Sequence, residues 1–379
     1  MLWMNKIRLA TVFSGIGAIE FALKRLHIDY DIVFACDNGE RDIEYNHDKE
    51  FKNILALKTI DEKCAYVDRL YDSLTRRTNF VEKSYLANYS CPKSRYFQDI
   101  KLLDGSDFAD KVDLFVGGSP CQSFSSVGFK GGLEDTRGTL FYEFARLVRE
   151  IKPKVFIYEN VRNLFNHDNG KTWHIIRNVF DELGYDIHYS ILNSADYNIP
   201  QNRRRLFVVG FKKPLQFDMP TPEKLQFDMH DFLEDNCAYP NFSYDETGKL
   251  VVGKIKGKIN PEYYLTPLLY RYVMKGGTKT FYQKPEINKP IARTVLKTMG
   301  NRHRAGVDNY VSHDFSNDFG KVRMLTEREA HRLMGFTDDY KIVVSKSQAY
   351  KQAGNSIVVD VLMKLIKQII ECGGLENDN

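Results

Sequence analysis

The chain has 379 residues, 43% of them hydrophobic and 27% charged, with a formal net charge of +4. This is long enough for one large α/β domain or two domains around a sizeable core, and the composition is that of an ordinary soluble protein. No window approaches the ~18 consecutive apolar residues of a membrane span, and the six cysteines form neither a CxxC pair nor a zinc-type Cys/His spacing.

The scattered thiols favour a reducing, cytoplasmic compartment, and "MLWMNKIRLATVF" runs into a strand-like segment without the apolar core of a signal peptide. Residues 7–13, "IRLATVF", read as a strand, after which "SGIGA" turns into the apolar-periodic helix "IEFALKRL". A second strand, "DIVFACD", ends at Asp37. Residues 40–97 interrupt the rhythm; they read as helical, carry 11 Lys+Arg against 10 Asp+Glu, and suggest no chemistry. Strand-like runs resume at 112–118, 154–160, 187–193 and 205–211, separated by helical patterns such as "LFYEFARLVREI" and "TWHIIRNVFDELG". The alternation predicts an α/β fold, a doubly wound, mostly parallel sheet with helices on both faces.

After Phe211 the alternation stops. Residues 212–322 are rich in Pro, Lys, Asn and Tyr, with short strand-like pieces. Within 247–304 there are 13 Lys+Arg and 2 Asp+Glu. Such a stretch is either a solvated face or a polyanion-binding surface, and the interleaved Tyr263, Tyr264, Tyr270, Tyr272 and Tyr282 suit both. Near the C-terminus, apolar residues at 357, 358, 361, 362, 365, 366, 369 and 370 mark a helix packed back onto the α/β domain. Gly373 stops it.

Three stretches carry candidate chemistry. In "FSGIG" the glycines let a ligand approach the backbone closely, and Asp37 stands where a carboxylate accepts ribose hydroxyls. Position 20 is Glu, so this is not the GxGxxG of dinucleotide enzymes. A nucleoside cofactor without phosphates suits the turn, and plain tight-turn glycines explain it equally. In "GGSPCQSF", Pro120 fixes the backbone before Cys121. A thiol of ordinary pKa is only about 3% thiolate at neutral pH, so Cys121 is either an activated nucleophile or an inert loop thiol. Glu159 of "YENV" falls at a strand's carboxyl end, where open α/β sheets bind ligands. In "PQNRRRLF", Gln201, Arg203 and Arg205 alternate on one face of a strand start.

The order "TVFSGIG", "CDN", "QDI", "GGSPCQSFS", "GTLFYEFARLV", "YENVRNL", "PQNRRRLFVVGF", "RMLTEREAHRLMGF", "QAGNSIVVDVL" resembles that of the bacterial DNA cytosine-5 methyltransferases over roughly 1–39, 96–211 and 323–372. The resemblance implies a catalytic and cofactor-binding domain at 1–211, interrupted by the 40–97 insertion, and a target-recognition domain at 212–322. A hinge segment at 323–353 and a returning C-terminal helix at 354–379 complete it. Cys121 would attack C6 of a cytosine flipped out of double-stranded DNA. Glu159 would hold the base, Arg205 would contact the base or the cysteine loop, and Arg203 and Gln201 would help organise the site. S-adenosyl-L-methionine, leaving as S-adenosyl-L-homocysteine, would be held by Phe13, Ser14, Gly15, Gly17, Asp37, Asn38, Asp99, Ile100, Pro120, Leu140, Asn355 and Ser356. No metal is implied.

For DNA, the resemblance points to Gln122, Ser125, Arg203, Arg293 and Thr294, and the charge pattern to Lys254, Lys256, Lys258, Arg302 and Arg304. Val127 stands where some members carry a serine in the gap left by the base, so that residue is unassigned. The implied setting is a cytoplasmic, nucleoid-associated monomer of a restriction-modification system, with a cognate endonuclease acting on the same site. An RNA-modifying relative would have a reduced recognition domain, a non-catalytic one would lack Cys121, Glu159 or an arginine, and a nicotinamide enzyme would need the third glycine.

Overall fold

The computed structural model describes residues 6–120, 140–247, 249–253, 255–275, 285–301, 303–304 and 306–376. They form two compact units. The first takes the described residues of Met1–Leu192, Arg204–Pro220 and Lys364–Asn379, the second those of Asn193–Arg203 and Thr221–Met363.

Strands β1 (Ile7–Val12), β2 (Tyr30–Cys36), β3 (Tyr96–Phe97), β4 (Leu114–Gly117), β5 (Val155–Val161) and β6 (Asp186–Asn193) belong to the main sheet. So does β8 (Arg204–Phe211), which follows the two-residue β7 (Gln201–Asn202). The order is β3-β2-β1-β4-β5-β8-β6. Pairs β1·β2, β1·β4, β2·β3 and β4·β5 are parallel, and β8 is antiparallel to β5. The sheet is thus mostly parallel, with its predicted strands in place; only β3, too short to show a period, was not legible. Its central strands are apolar runs buried on both faces, as a parallel sheet covered by helices requires.

Helix α1 (Ala18–Arg25) follows the glycine turn. The insertion folds into α2 (His47–Leu55), α3 (Ile60–Leu74) and α4 (Phe80–Asn88), with Asn46, Thr59 and Asn79 as N-caps accepting from the first-turn amides. Helices α5 (Leu140–Ile151), α6 (Asn163–Asn166) and α7 (Lys171–Glu182) complete the crossovers. Phe144 of α5 stacks on Phe115 of β4 with ring centroids 5.0 Å apart, and Phe180 of α7 lies 5.0 Å from Phe156 of β5. These ring pairs fix the helices to the strands whose ends carry the site.

The second unit holds the β9 (Phe242–Tyr244)–β10 (Leu250–Val252) hairpin, β11 (Ala292–Arg293) parallel to β7, and β12 (Tyr310–Val311) antiparallel to β13 (Arg323–Met324). Helices α8 (Pro267–Lys275), α9 (Glu327–Arg332) and α10 (Lys346–Asn355) accompany them. Residues 323–353 lie within this unit, and buried ion pairs organise it. Arg323 bonds Glu329 Oε2 and Oε1 at 2.9 and 2.8 Å and Asp235 Oδ2 at 3.1 Å, while Arg332 grips Asp338 at 2.8 and 2.6 Å. Charges taken out of water need such complete pairing. The last helix, α11 (Val359–Glu371), buries Leu365, Ile366 and Ile369; from Lys364 onward the chain belongs to the first unit. Gly373, at φ 78°, ends it. None of the described helices is long and apolar enough to cross a membrane.

Candidate active site

The register of the first unit pairs Val12 with both Cys36 and Gly117, Cys36 with Phe97, and Gly117 with Tyr158. The carboxyl ends of β1 to β5 therefore share one edge of the sheet. Because β8 is antiparallel, it starts where β5 stops, with Arg205 opposite Val161. Phe13, Asp37, Asp99, Gly118–Pro120, Glu159 and Arg205 come together along that edge.

In the turn after β1, Phe13, Gly15 and Gly17 all adopt positive φ (52°, 54° and 77°). That conformation is uncommon for a phenylalanine and natural for glycine. A Cβ on Gly17 would stand 2.1 Å from the Tyr89 ring, so a side chain there would have to displace that ring. Ser14 Oγ accepts from Cys36 N at 2.9 Å, and Gly15 N donates to Asp37 Oδ2 at 2.9 Å; Gly39 N donates to Oδ1 at 2.8 Å. The Gly15 amide is thus spent on a carboxylate, which does not suit a bound phosphate. Asn38 Oδ1 accepts from Glu40 N.

Beneath the turn lies Glu20, wholly buried. Tyr85 Oη donates to its Oε1 at 2.6 Å and Thr11 Oγ1 at 3.3 Å, while Oε2 has no hydrogen-bond partner among the described residues. Burial pushes this carboxyl up to about 7, against which Tyr85, its own backbone amide and Thr11 pull only partly. Two further contacts come from the insertion. Tyr89 Oη donates to Gly17 O at 2.6 Å, and Asn79 Nδ2 to Asp37 O at 2.8 Å. Asp99, half-buried after β3, accepts from Tyr45 Oη at 2.7 Å, Tyr71 Oη at 2.9 Å and Lys101 N at 3.0 Å. Ile100 is buried beside it, and Leu140 is half-buried at the start of α5.

At the next strand ends, a Cβ on Gly118 would meet Glu159 O at 2.7 Å and Glu159 Oε2 at 3.0 Å. Only glycine lets the carboxylate lie against this backbone. Glu159 Oε1 pairs with Arg205 Nε at 3.2 Å, the side chains 14% and 18% exposed. Asn160, buried, donates to Ser119 O at 2.9 Å and to Tyr158 Oη at 2.8 Å, and Tyr158 Oη meets Ser119 Oγ at 2.7 Å. This knot fixes the backbone just ahead of Pro120, which is exposed. Sequence reading missed Tyr158, Asn160 and Ser119; a polar residue flanking Glu159 in an otherwise apolar strand was the available signal. Cys121, Gln122, Ser125 and Val127 lie outside the described residues. The five described cysteines, 36, 64, 91, 237 and 372, are free thiols pushed up by burial, Cys64 and Cys91 to about 12. None has the lowered pKa of a nucleophile.

The Gln-x-Arg-x-Arg run alternates as read, Gln201 and Arg203 buried between exposed Asn202 and Arg204. Its chemistry divides, however. In the second unit, Gln201 donates to Leu333 O at 2.7 Å and accepts from Val295 N at 2.8 Å. Arg203 donates to Val295 O, Gly354 O and Ser356 O at 3.0, 2.9 and 2.8 Å. Asn355 is exposed and Ser356 buried at the end of α10. Among the remaining residues expected to touch DNA, Lys254 and Arg302 lie outside the described residues, and Lys256 and Lys258 are exposed. Thr294 donates to Asn202 O, Arg293 pairs with Glu286 at 3.2 Å, and Arg304 pairs with Asp308 at 3.5 Å. Those three spend hydrogen bonds or charge inside the unit.

Residues 77–371 match the family model for C-5 cytosine-specific DNA methylases. The chain is 37% identical over 298 residues to the type II methyltransferase M.SsoII of Shigella sonnei, covering 77% of this chain and 71% of that one. It is 34% identical over 320 residues to M.HhaI of Haemophilus parahaemolyticus, covering 83% and 90%. In fold it resembles the crystal structure of the S. pombe Dnmt2 methyltransferase, with a TM-score of 0.64 at 18% identity over 97% of this chain and 99% of that one.

The Glu20 carboxyl holds its proton more tightly folded than unfolded, since its pKa rises from 4.5 to about 7. Its contribution to stability is therefore lost as pH rises from about 4.5 to about 7, by a total of about 3 kcal/mol. Glu20→Gln should flatten thermal unfolding midpoints across that range and gain on the wild type at the alkaline end. Parallel midpoint curves for the two proteins would show that Glu20 does not titrate in this way.

Proposed function

The chain belongs to the C-5 cytosine-specific DNA methylase family and is an S-adenosylmethionine-dependent DNA cytosine-5 methyltransferase; on that premise we propose which of its residues do the work. The observation that carries the assignment is the Glu159–Arg205 pair, set beside Gly118 at the strand end that leads into Cys121. We assign Cys121 as the nucleophile, its thiolate adding to C6 of the cytosine. Glu159 holds N3 and the exocyclic amine as the ring loses aromaticity, stabilising the charge that develops. Arg205 orients Glu159 through the 3.2 Å contact. Addition at C6 makes C5 nucleophilic, C5 is methylated and gives up its proton to a base, and the C6–S bond then breaks to return the thiolate.

The cofactor edge fits a nucleoside without phosphates. Asp37 serves the ribose, Asp99 the adenine amine, and Phe13, Ser14, Gly15 and Gly17 border the remainder, with Asn38, Ile100, Pro120 and Leu140 around them. S-adenosylmethionine supplies an electrophilic methyl group. Gln201 and Arg203 act as frame residues of the second unit. Residues 212–322 read the target in double-stranded DNA, and Lys254, Lys256 and Lys258 neutralise phosphates. A cytoplasmic, nucleoid-associated monomer working beside a cognate endonuclease accords with the type II methyltransferases among its relatives.

The test is purified protein with labelled S-adenosylmethionine and unmethylated DNA, followed by nucleoside chromatography. Label is expected in 5-methylcytosine, with Cys121→Ser silent yet binding cofactor at near wild-type affinity; turnover by that variant at the wild-type rate would remove Cys121 from the mechanism. Asn160→Ala frees the Ser119–Pro120 backbone and should lower kcat by about tenfold to a hundredfold with little change in cofactor affinity; an unchanged kcat would leave the knot without a catalytic role. Replacing Lys254, Lys256 and Lys258 by Gln should reduce the slope of log affinity against log salt by about 2 to 3, and an unchanged slope would place the phosphates elsewhere.

A further inference from the structure

The 40–97 insertion presents no chemistry in sequence, yet its side chains reach the cofactor edge at four places: Tyr45 and Tyr71 at Asp99, Asn79 at the Asp37 carbonyl, Tyr85 at Glu20 and Tyr89 at the Gly17 carbonyl. The Asp99 contact is the most specific. Its Oδ2 takes two phenolic donors, at 2.7 and 2.9 Å, from residues 54 and 28 positions away, and its Oδ1 takes the Lys101 amide at 3.0 Å. A carboxylate offers about four acceptor directions. Three are filled by protein donors, which fix the rotamer and leave one direction on Oδ1 of a half-buried group. The tyrosines are neutral, so they orient the carboxylate without cancelling its charge, as a lysine or arginine would. An acceptor held in this way favours an amine donor and repels a carbonyl oxygen.

We propose that the insertion is an adenine-reading clamp, in which Tyr45 and Tyr71 are positioning residues that aim the Asp99 carboxylate at the exocyclic amine of the cofactor. The proposal rests on the assignment of Asp99 to the adenine amine. Tyr71 is itself held in place by Arg41, whose guanidinium lies 4.9 Å over its ring. The clamp is thus built from the insertion's own residues around a carboxylate from the sheet edge.

The experiment is calorimetric binding of S-adenosylhomocysteine and of its inosine counterpart, in which oxygen replaces the 6-amino group, to the full chain. Wild type, Asp99→Asn, Tyr45→Phe and the Tyr45→Phe/Tyr71→Phe double variant are compared. Wild type should prefer the adenine compound, and the double variant should lose about tenfold in affinity for it, and most of that preference, while its unfolding midpoint and its affinity for DNA stay near wild type. If the double variant keeps the wild-type preference while Asp99→Asn loses it, Asp99 reads adenine unaided and the clamp is wrong. If Asp99→Asn keeps the preference too, the assignment of Asp99 fails and the clamp with it. Should the double variant not fold, Tyr45→Phe alone decides, since a wild-type preference there rules the clamp out.

Discussion

Seven strands hydrogen-bonded into one sheet, with β8 running against β5, bring segments between residues 13 and 205 to a single edge. Five parallel strands deliver their carboxyl ends there, and the antiparallel strand delivers its amino end. Without that reversal Arg205 would start at the opposite edge, about a strand length from Glu159. The pairing of Glu159 with Arg205 is therefore a consequence of topology, and everything proposed for the base-binding end of the site depends on it.

Four carboxylates near this edge show how environment divides roles within one fold. Asp37 is tied into the turn by two backbone amides and helps to shape it. Asp99 is oriented by two phenols and an amide, while Glu159 pairs with Arg205 beside a Gly118 that has no Cβ. Glu20, with two hydroxyl donors and no compensating cation among the described residues, is pushed towards the neutral form. Desolvation dominates where no charge compensates it, so the same group is a fixed acceptor at one position and a carboxyl that holds its proton up to about pH 7 at another.

The second unit solves a different problem. Its strands are two or three residues long, and buried guanidinium groups brace its framework alongside the apolar contacts. Arg203, Arg323 and Arg332 each satisfy several buried acceptors. Arg293 and Arg304 likewise spend charge internally. Among the basic residues of this region, exposed lysines such as 256 and 258 remain at the surface. A local count of positive residues therefore overstates the charge available to a polyanion.

Much of the sheet was legible in the chain itself. Apolar runs bounded by glycine and polar residues marked six of its seven strands, the glycine turn and Asp37 marked one end of the candidate site, and the order of short motifs identified the family. These signals are local: each lies within a few residues, where periodicity and turn chemistry act. What escaped was non-local. The insertion read as helices without chemistry, because nothing in its spacing says that Tyr45 and Tyr71 meet Asp99 or that Tyr85 meets Glu20. Gln201, Arg203 and Arg205 alternate as a strand predicts, yet their partners lie up to 153 positions away, and only the packed chain decides that two of them brace one unit while the third faces a carboxylate in the other. Burial and hydrogen-bond partnership are properties of contacts between distant segments, and the sequence fixes those only through the complete fold.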